Sequence, residues 1–207
     1  MTGLQRLRDA GPVARRLPSG RLPVPEVAFV LVGAGFALVP VIALLVGGGD
    51  PWPWTALWGA PWGWLRAAAW ETPWGWSAVG AGLVLIGRLG RSSVSTDWLV
   101  PALTRATEYA AVIAVGGATA WTFGLLAALA YRHYDLVHLS RAGRTPPNWS
   151  RSASLGWELR VALLLGAGAI GAGAAAVVAL TVWLAPVALL ATTAAWGPAS
   201  RQPQATR

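Results

Sequence analysis

The 207-residue chain is 55% hydrophobic and 12% charged, with a mean hydropathy of +0.51, a balance that excludes a soluble domain of ordinary composition. Its net charge of +8 comes from 16 basic residues, all arginine, with no basic stripe interleaved with aromatic residues, so membrane lipids with anionic headgroups, and no nucleic acid, are the expected partners. The absence of cysteine excludes disulfides, thiolate metal sites and cysteine nucleophiles.

Residues 1–22 carry Arg6, Arg8, Arg15, Arg16 and Arg21, while Pro12, Pro18 and Pro23 prevent a long helix, so this segment reads as a basic cytoplasmic tail. Val27 to Val46 holds no charge and, at about 1.5 Å per residue, covers the roughly 30 Å hydrocarbon core as a first span, with a kink expected at Pro40. It is too long and starts too late for a cleaved signal peptide. Residues 47–76 contain Gly47-Gly48-Gly49, four prolines and eight of the fourteen tryptophans, the composition of an outer loop lying in the headgroup layer. Arg66 and Glu71 within it have no hydrocarbon to cross. Residues 73–88 return as a second span, ending at Arg88 and Arg91 in keeping with the positive-inside rule.

Asp97 and Trp98 open a third span that runs to Gly116-Gly117, and the glycine pair predicts a tight outer turn into a fourth span from Ala118 to His138. The segment Leu139 to Leu155 holds Arg141, Arg144, Arg151 and Pro146-Pro147 and reads as a cytoplasmic loop. Leu159 to Trp196 would be about 57 Å long as one helix, so a turn is expected around Gly171-Ala172-Gly173, giving a short fifth span and a sixth. The expected fold is an all-α polytopic membrane helix bundle of about six transmembrane helices over 23–197, in the cell membrane. The tails 1–22 and 198–207 are both cytoplasmic in this arrangement. A five-span arrangement, with the C-terminus outside, stays open because the fifth span is short.

Within the third span, Arg105 and Glu108 lie three residues apart on one helix face, and Glu108 falls near mid-bilayer. A carboxylate there is costly unless protonated or paired, so it should face protein, with Arg105 or Arg132 as its nearest basic partner. An internal ion pair that orients helices and a proton-linked or headgroup-binding site are both open readings. In the fourth span Arg132, Asp135 and His138 follow at intervals of three, which predicts one face presenting Arg, Asp and His. His133 and His138 are five apart and do not share a face well, so no metal is expected. Antiparallel packing about the Gly116-Gly117 turn would set Arg105 level with about residue 129 and gather Asp97, Arg105, Glu108, Arg132, Asp135, Glu158 and Arg160 on the inner side. Of these, Arg105, Glu108, Arg132, Asp135 and Arg160 are the candidate anionic-headgroup site. Helix ends merely anchored by arginine are the plainer alternative.

Two patterns carry little. Gly166, Gly168 and Gly171 satisfy G-x-G-x-x-G but follow no strand, so helix packing or a turn explains them better than a nucleotide. Asn148-Trp149-Ser150 spells a glycosylation acceptor, unused on a cytoplasmic side.

Three segments carry a family resemblance: Asp97-Trp98-Leu99-Val100-Pro101 with Arg105-Ala106-Thr107-Glu108-Tyr109; Leu129-Ala130-Tyr131-Arg132-His133-Tyr134-Asp135; and Gly156-Trp157-Glu158-Leu159-Arg160. Together with Pro146-Pro147 and Trp149 they resemble a bacterial family of membrane domains of unknown function, often fused to nucleotidyltransferase-like and CDP-alcohol phosphotransferase domains. The resemblance implies an accessory membrane domain beside such a phosphotransferase and carries over no catalytic residue. The phosphotransferase signature D-x-x-D-G-x-x-A-R is absent from the chain, whose acidic residues are too scattered for clustered metal-binding carboxylates. The expectation is therefore a multi-pass, tryptophan-rich, lipid-associated protein without a cofactor. Its expected role is that of a non-enzymatic accessory subunit for phospholipid or polyprenyl-linked headgroup metabolism. A small transporter or proton-coupled permease using Glu108 is the competing expectation.

Overall fold

The computed structural model describes residues 24–46, 73–87, 89–90 and 98–197, with side chains placed in 24–42 and from residue 75 onward within those ranges. The tails, most of the Trp-rich segment, Arg66, Glu71, Arg88, Arg91 and Asp97 lie outside the described residues, and with them the expectations they carry. Six long helices account for most of the rest: α1 Glu26–Val46, α2 Pro73–Gly87, α3 Leu99–Gly116, α4 Ala120–Arg141, α6 Trp157–Ala169 and α7 Gly173–Trp196. A short α5, Asn148–Ala153, lies in the segment expected to be a loop. Helix breaks fall where sequence places them, at 117–119 and at 170–172, because consecutive small residues and glycine interrupt otherwise apolar runs. Pro40 sits inside an uninterrupted α1.

The fold is all-helical among the described residues. One helix in that set, Gly173–Trp196, is long and apolar enough by itself to cross a membrane. The described parts of α1 and α2 are shorter, α6 has only 13 residues, and α3 and α4 carry ionisable groups.

Helix α3 is the hub, since it packs on α1, α2, α4, α6 and α7. Two apolar clusters meet along it. On one side Ala111 joins Val30 of α1, Val84 of α2 and Val161 of α6; on the other Val112 joins Leu125 and Leu129 of α4, Leu164 of α6 and Leu180 of α7. Neighbouring residues of α3 thus face different clusters, and α6 contributes to both. Whatever lies between α3 and α6 sits at the seam of the whole bundle.

Helices α1 and α2 approach by their backbones. A Cβ built on Gly33 would stand 2.6 Å from the Gly80 carbonyl oxygen, and one on Gly80 would strike that of Gly33. Small residues at such a crossing let dispersion contacts form along the helix axes where no side chain intervenes. Gly80→Leu should therefore separate the two helices and lower the thermal midpoint, by a loss on the order of 1–3 kcal/mol typical of overpacking. Gly35, where an added Cβ meets nothing within 4 Å, is the control. Gly35→Ala should leave the midpoint unchanged or raise it by improving helix propensity. Circular dichroism melts that show the same midpoint for both variants contradict this crossing.

Candidate functional site

The site begins with α3. Thr104 and Thr107, on either side of Arg105, turn their hydroxyls back onto the Val100 and Leu103 carbonyls at 2.8 and 3.0 Å, which satisfies them within their own helix. Glu108 has no such local option and is completely buried. Its Oε1 accepts from Arg160 Nε of α6 at 2.5 Å, and Arg160 is itself 1% exposed. The sequence expectation named Arg105 or Arg132 as the nearest basic partner; the pair is instead made by a third helix, 52 residues away.

From the other oxygen the network continues to α4. His133 Nε2 stands 3.8 Å from Glu108 Oε2, and its Nδ1 shares a hydrogen bond of 2.8 Å with the Tyr109 hydroxyl, the donor depending on the imidazole tautomer. His133 is 4% exposed, and with a half-buried Tyr109 at its outer end, four side chains from α3, α4 and α6 form one polar chain: Tyr109, His133, Glu108, Arg160. Sequence spacing considers His133 only as a metal ligand and does not join it to Tyr109. The predicted register is the reason. It sets Glu108 level with about residue 126, whereas His133 reaches it, an offset of seven residues or about 10 Å along a helix. A polar aromatic directly after the mid-span carboxylate was the signal available.

The other candidates divide. Arg132 is buried and donates Nη2 to the Ser150 carbonyl at 3.3 Å. Arg160 donates Nη1 to the Ser154 carbonyl at 2.6 Å, so both arginines reach the same short stretch of chain. Arg105 is half-buried, and Glu158 is buried in the first turn of α6. Asp135 stands apart from this network: it accepts from Thr192 Oγ1 at 2.9 Å and Trp196 Nε1 at 3.0 Å, binding α4 to the end of α7. Arg144 secures the same end, with its guanidinium 4.9 Å above the Trp196 ring and Nη1 on the Ala195 carbonyl at 2.9 Å. His138 packs against Tyr134, with ring centroids 4.3 Å apart. The single Arg-Asp-His face expected on α4 thus splits. Each step of three residues rotates the helix by about 300°, so six residues carry His138 roughly 120° away from Arg132.

Gly171 belongs to the turn that joins α6 and α7, and a Cβ on Gly166 would meet nothing within 4 Å, which leaves the G-x-G-x-x-G pattern without a cradle. Among the described residues no group of three or more His, Cys, Asp or Glu side chains is placed to hold a metal ion.

The chain belongs to a family of unknown function, DUF5941, whose model matches residues 1–200. No curated protein and no solved structure matches it.

Because a buried charge without its partner is far less stable than the pair, Glu108→Leu and Arg160→Met should each destabilise the protein by about 3–5 kcal/mol. The double variant should lose much less than the sum, since it removes both charges together. Unfolding of the four proteins by denaturant measures the coupling. Additive losses contradict the pair.

Proposed function

We propose that this chain is a multi-pass membrane protein that crosses the bilayer six times with both termini in the cytoplasm. We further propose that it works as a non-enzymatic accessory subunit in phospholipid or polyprenyl-linked headgroup metabolism, beside a CDP-alcohol phosphotransferase. The observation that carries the membrane reading is where the apolar surface lies. Only 39% of the most apolar stretch of α7 is buried, and Leu31, Val32, Phe123, Leu163, Val182 and Leu190 on four helices are exposed. A surface of that kind, distributed around the molecule rather than gathered in one patch, suits hydrocarbon better than water or a single partner. In this orientation the 117–119 and 170–172 breaks face outward, and the 142–156 segment with Arg144 and Arg151 faces the cytoplasm.

The headgroup reading rests on arginines in the inner half of the bundle. Arg105 lies one turn nearer the start of α3 than Glu108, and Arg132 approaches the 150–154 segment from α4. Their planar forks suit phosphate, and the inner leaflet supplies anionic headgroups. In this assignment the Glu108–Arg160 pair supports the site from behind, and Asp135 fastens α4 to α7.

A second reading, a proton-coupled permease using Glu108, is favoured by one observation, the chain from Tyr109 through His133 to Glu108. Buried His and carboxylate groups in sequence are the elements of intramembrane proton relays.

Purification with native lipids followed by mass spectrometry of the bound lipid separates the readings. Arg105→Gln should lower co-purified anionic lipid severalfold while circular dichroism stays unchanged. Unchanged retention contradicts the headgroup assignment. Proton flux in sealed vesicles that disappears in Glu108→Gln supports the permease instead.

A further inference from the structure

The short fifth span corresponds to α6. Helix α6 has 13 residues, about 20 Å, against the roughly 30 Å of a hydrocarbon core. Immediately before it the chain forms α5, Asn148–Ala153, and the turn Ser154-Leu155-Gly156, which lead into the inner end of this short span. Backbone carbonyls at such a helix end, buried against the bundle, need partners. Here three different helices supply them. Arg132 of α4 donates to the Ser150 carbonyl at 3.3 Å, Trp183 Nε1 of α7 to the Ala153 carbonyl at 2.8 Å, and Arg160 of α6 to the Ser154 carbonyl at 2.6 Å. The Ala153 and Ser154 oxygens lie at and just beyond the end of α5, where a helix has no internal donors left, while the Ser150 oxygen also accepts the Ser154 N–H at 3.0 Å.

Six residues are too few for a helix stable by itself, and α7 is the helix α5 chiefly packs against. Gly143, with φ 68°, closes the C-terminus of α4, where the Ala142 and Arg144 N–H groups return to the His138 and Leu139 carbonyls. On the other side of α5, Leu155 and Gly156 have φ 67° and 72°, a consecutive pair in a region that non-glycine residues rarely adopt. Leu155 keeps that strained conformation by packing its side chain onto the Leu164 and Leu184 cluster. The guanidinium of Arg160 touches both the Ser154 carbonyl and the Glu108 carboxylate, so the position of α5 and the polar chain share one group.

We propose that α5 is a gate on the inner half of the bundle. It is latched shut by Arg132, Arg160 and Trp183 and swings on the 154–156 turn to admit the cytoplasmic side to Glu108 and His133. The side it opens to rests on the multi-pass reading; the latch itself does not.

The natural absence of cysteine makes single-cysteine labelling a direct test. Ser154→Cys replaces a fully buried hydroxyl while leaving the latched carbonyl in place. In sealed vesicles an impermeant maleimide should label it slowly, and severalfold faster, up to about tenfold, from the cytoplasmic side when Trp183→Phe removes one latch donor, the size of effect one hydrogen bond has on an opening equilibrium. An unchanged rate overturns the proposal. So does an equal acceleration at Ala111→Cys in the α3 core, which signifies general loosening. Arg141→Cys and Ile170→Cys, both exposed and at opposite ends of the bundle, report the topology separately. If they label from the same side, the six-span reading fails, and the Trp183→Phe comparison in detergent still decides the latch.

Discussion

A carboxylate buried among apolar helices needs a cation, and the rest of this bundle is arranged around how Glu108 obtains one. Arg160 arrives from the start of α6 and makes a 2.5 Å contact at the seam where both apolar clusters meet. In a low-dielectric interior neither ion is stable without the other, so the pair fixes where α6 starts against α3. Dispersion alone would allow the two helices to slide by a turn. The ion pair does not. Its geometry also sets the position of α4, because His133 must stand beside the second carboxylate oxygen while Tyr109 holds the far ring nitrogen.

The same pair bears on how the chain enters α6. Arg160 lies in the first turn of α6, and its contact with Glu108 fixes where that helix begins against α3. The chain arrives there through α5 and a turn with positive φ at Leu155 and Gly156, and three carbonyls along the way accept from Arg160 again and from Arg132 and Trp183. Charge pairing and backbone satisfaction are thus one constraint seen two ways. Helices α1 and α2 instead meet by backbone contact that their glycines allow.

Much of the helix pattern was legible in sequence. Among the described residues, runs free of charge, glycine pairs and arginine placement mark the six long helices and the breaks at 117–119 and 170–172, since those signals are local in the chain. The importance of Glu108 and Arg160 was also legible, because ionisable residues in apolar surroundings stand out singly. Their partnership was not. Pairing across 52 residues depends on helix register and rotation, and a hydropathy pattern with almost no amphipathic asymmetry specifies neither. Asp135 was misplaced for the same reason: an interval of three looks like a shared face, yet the side chain turns toward Thr192 and Trp196. The short α5 escaped because six residues rich in serine and arginine carry no periodic signal.

The account stands or falls on the Glu108–Arg160 contact existing in a lipid bilayer. Solid-state NMR of the protein in liposomes, with ¹³C in the Glu108 carboxylate and ¹⁵N in the Arg160 guanidinium, measures it directly. Strong dipolar dephasing between the two, with little magnetisation transfer from water, is the predicted result. No measurable coupling, or a carboxylate in contact with water, would contradict it.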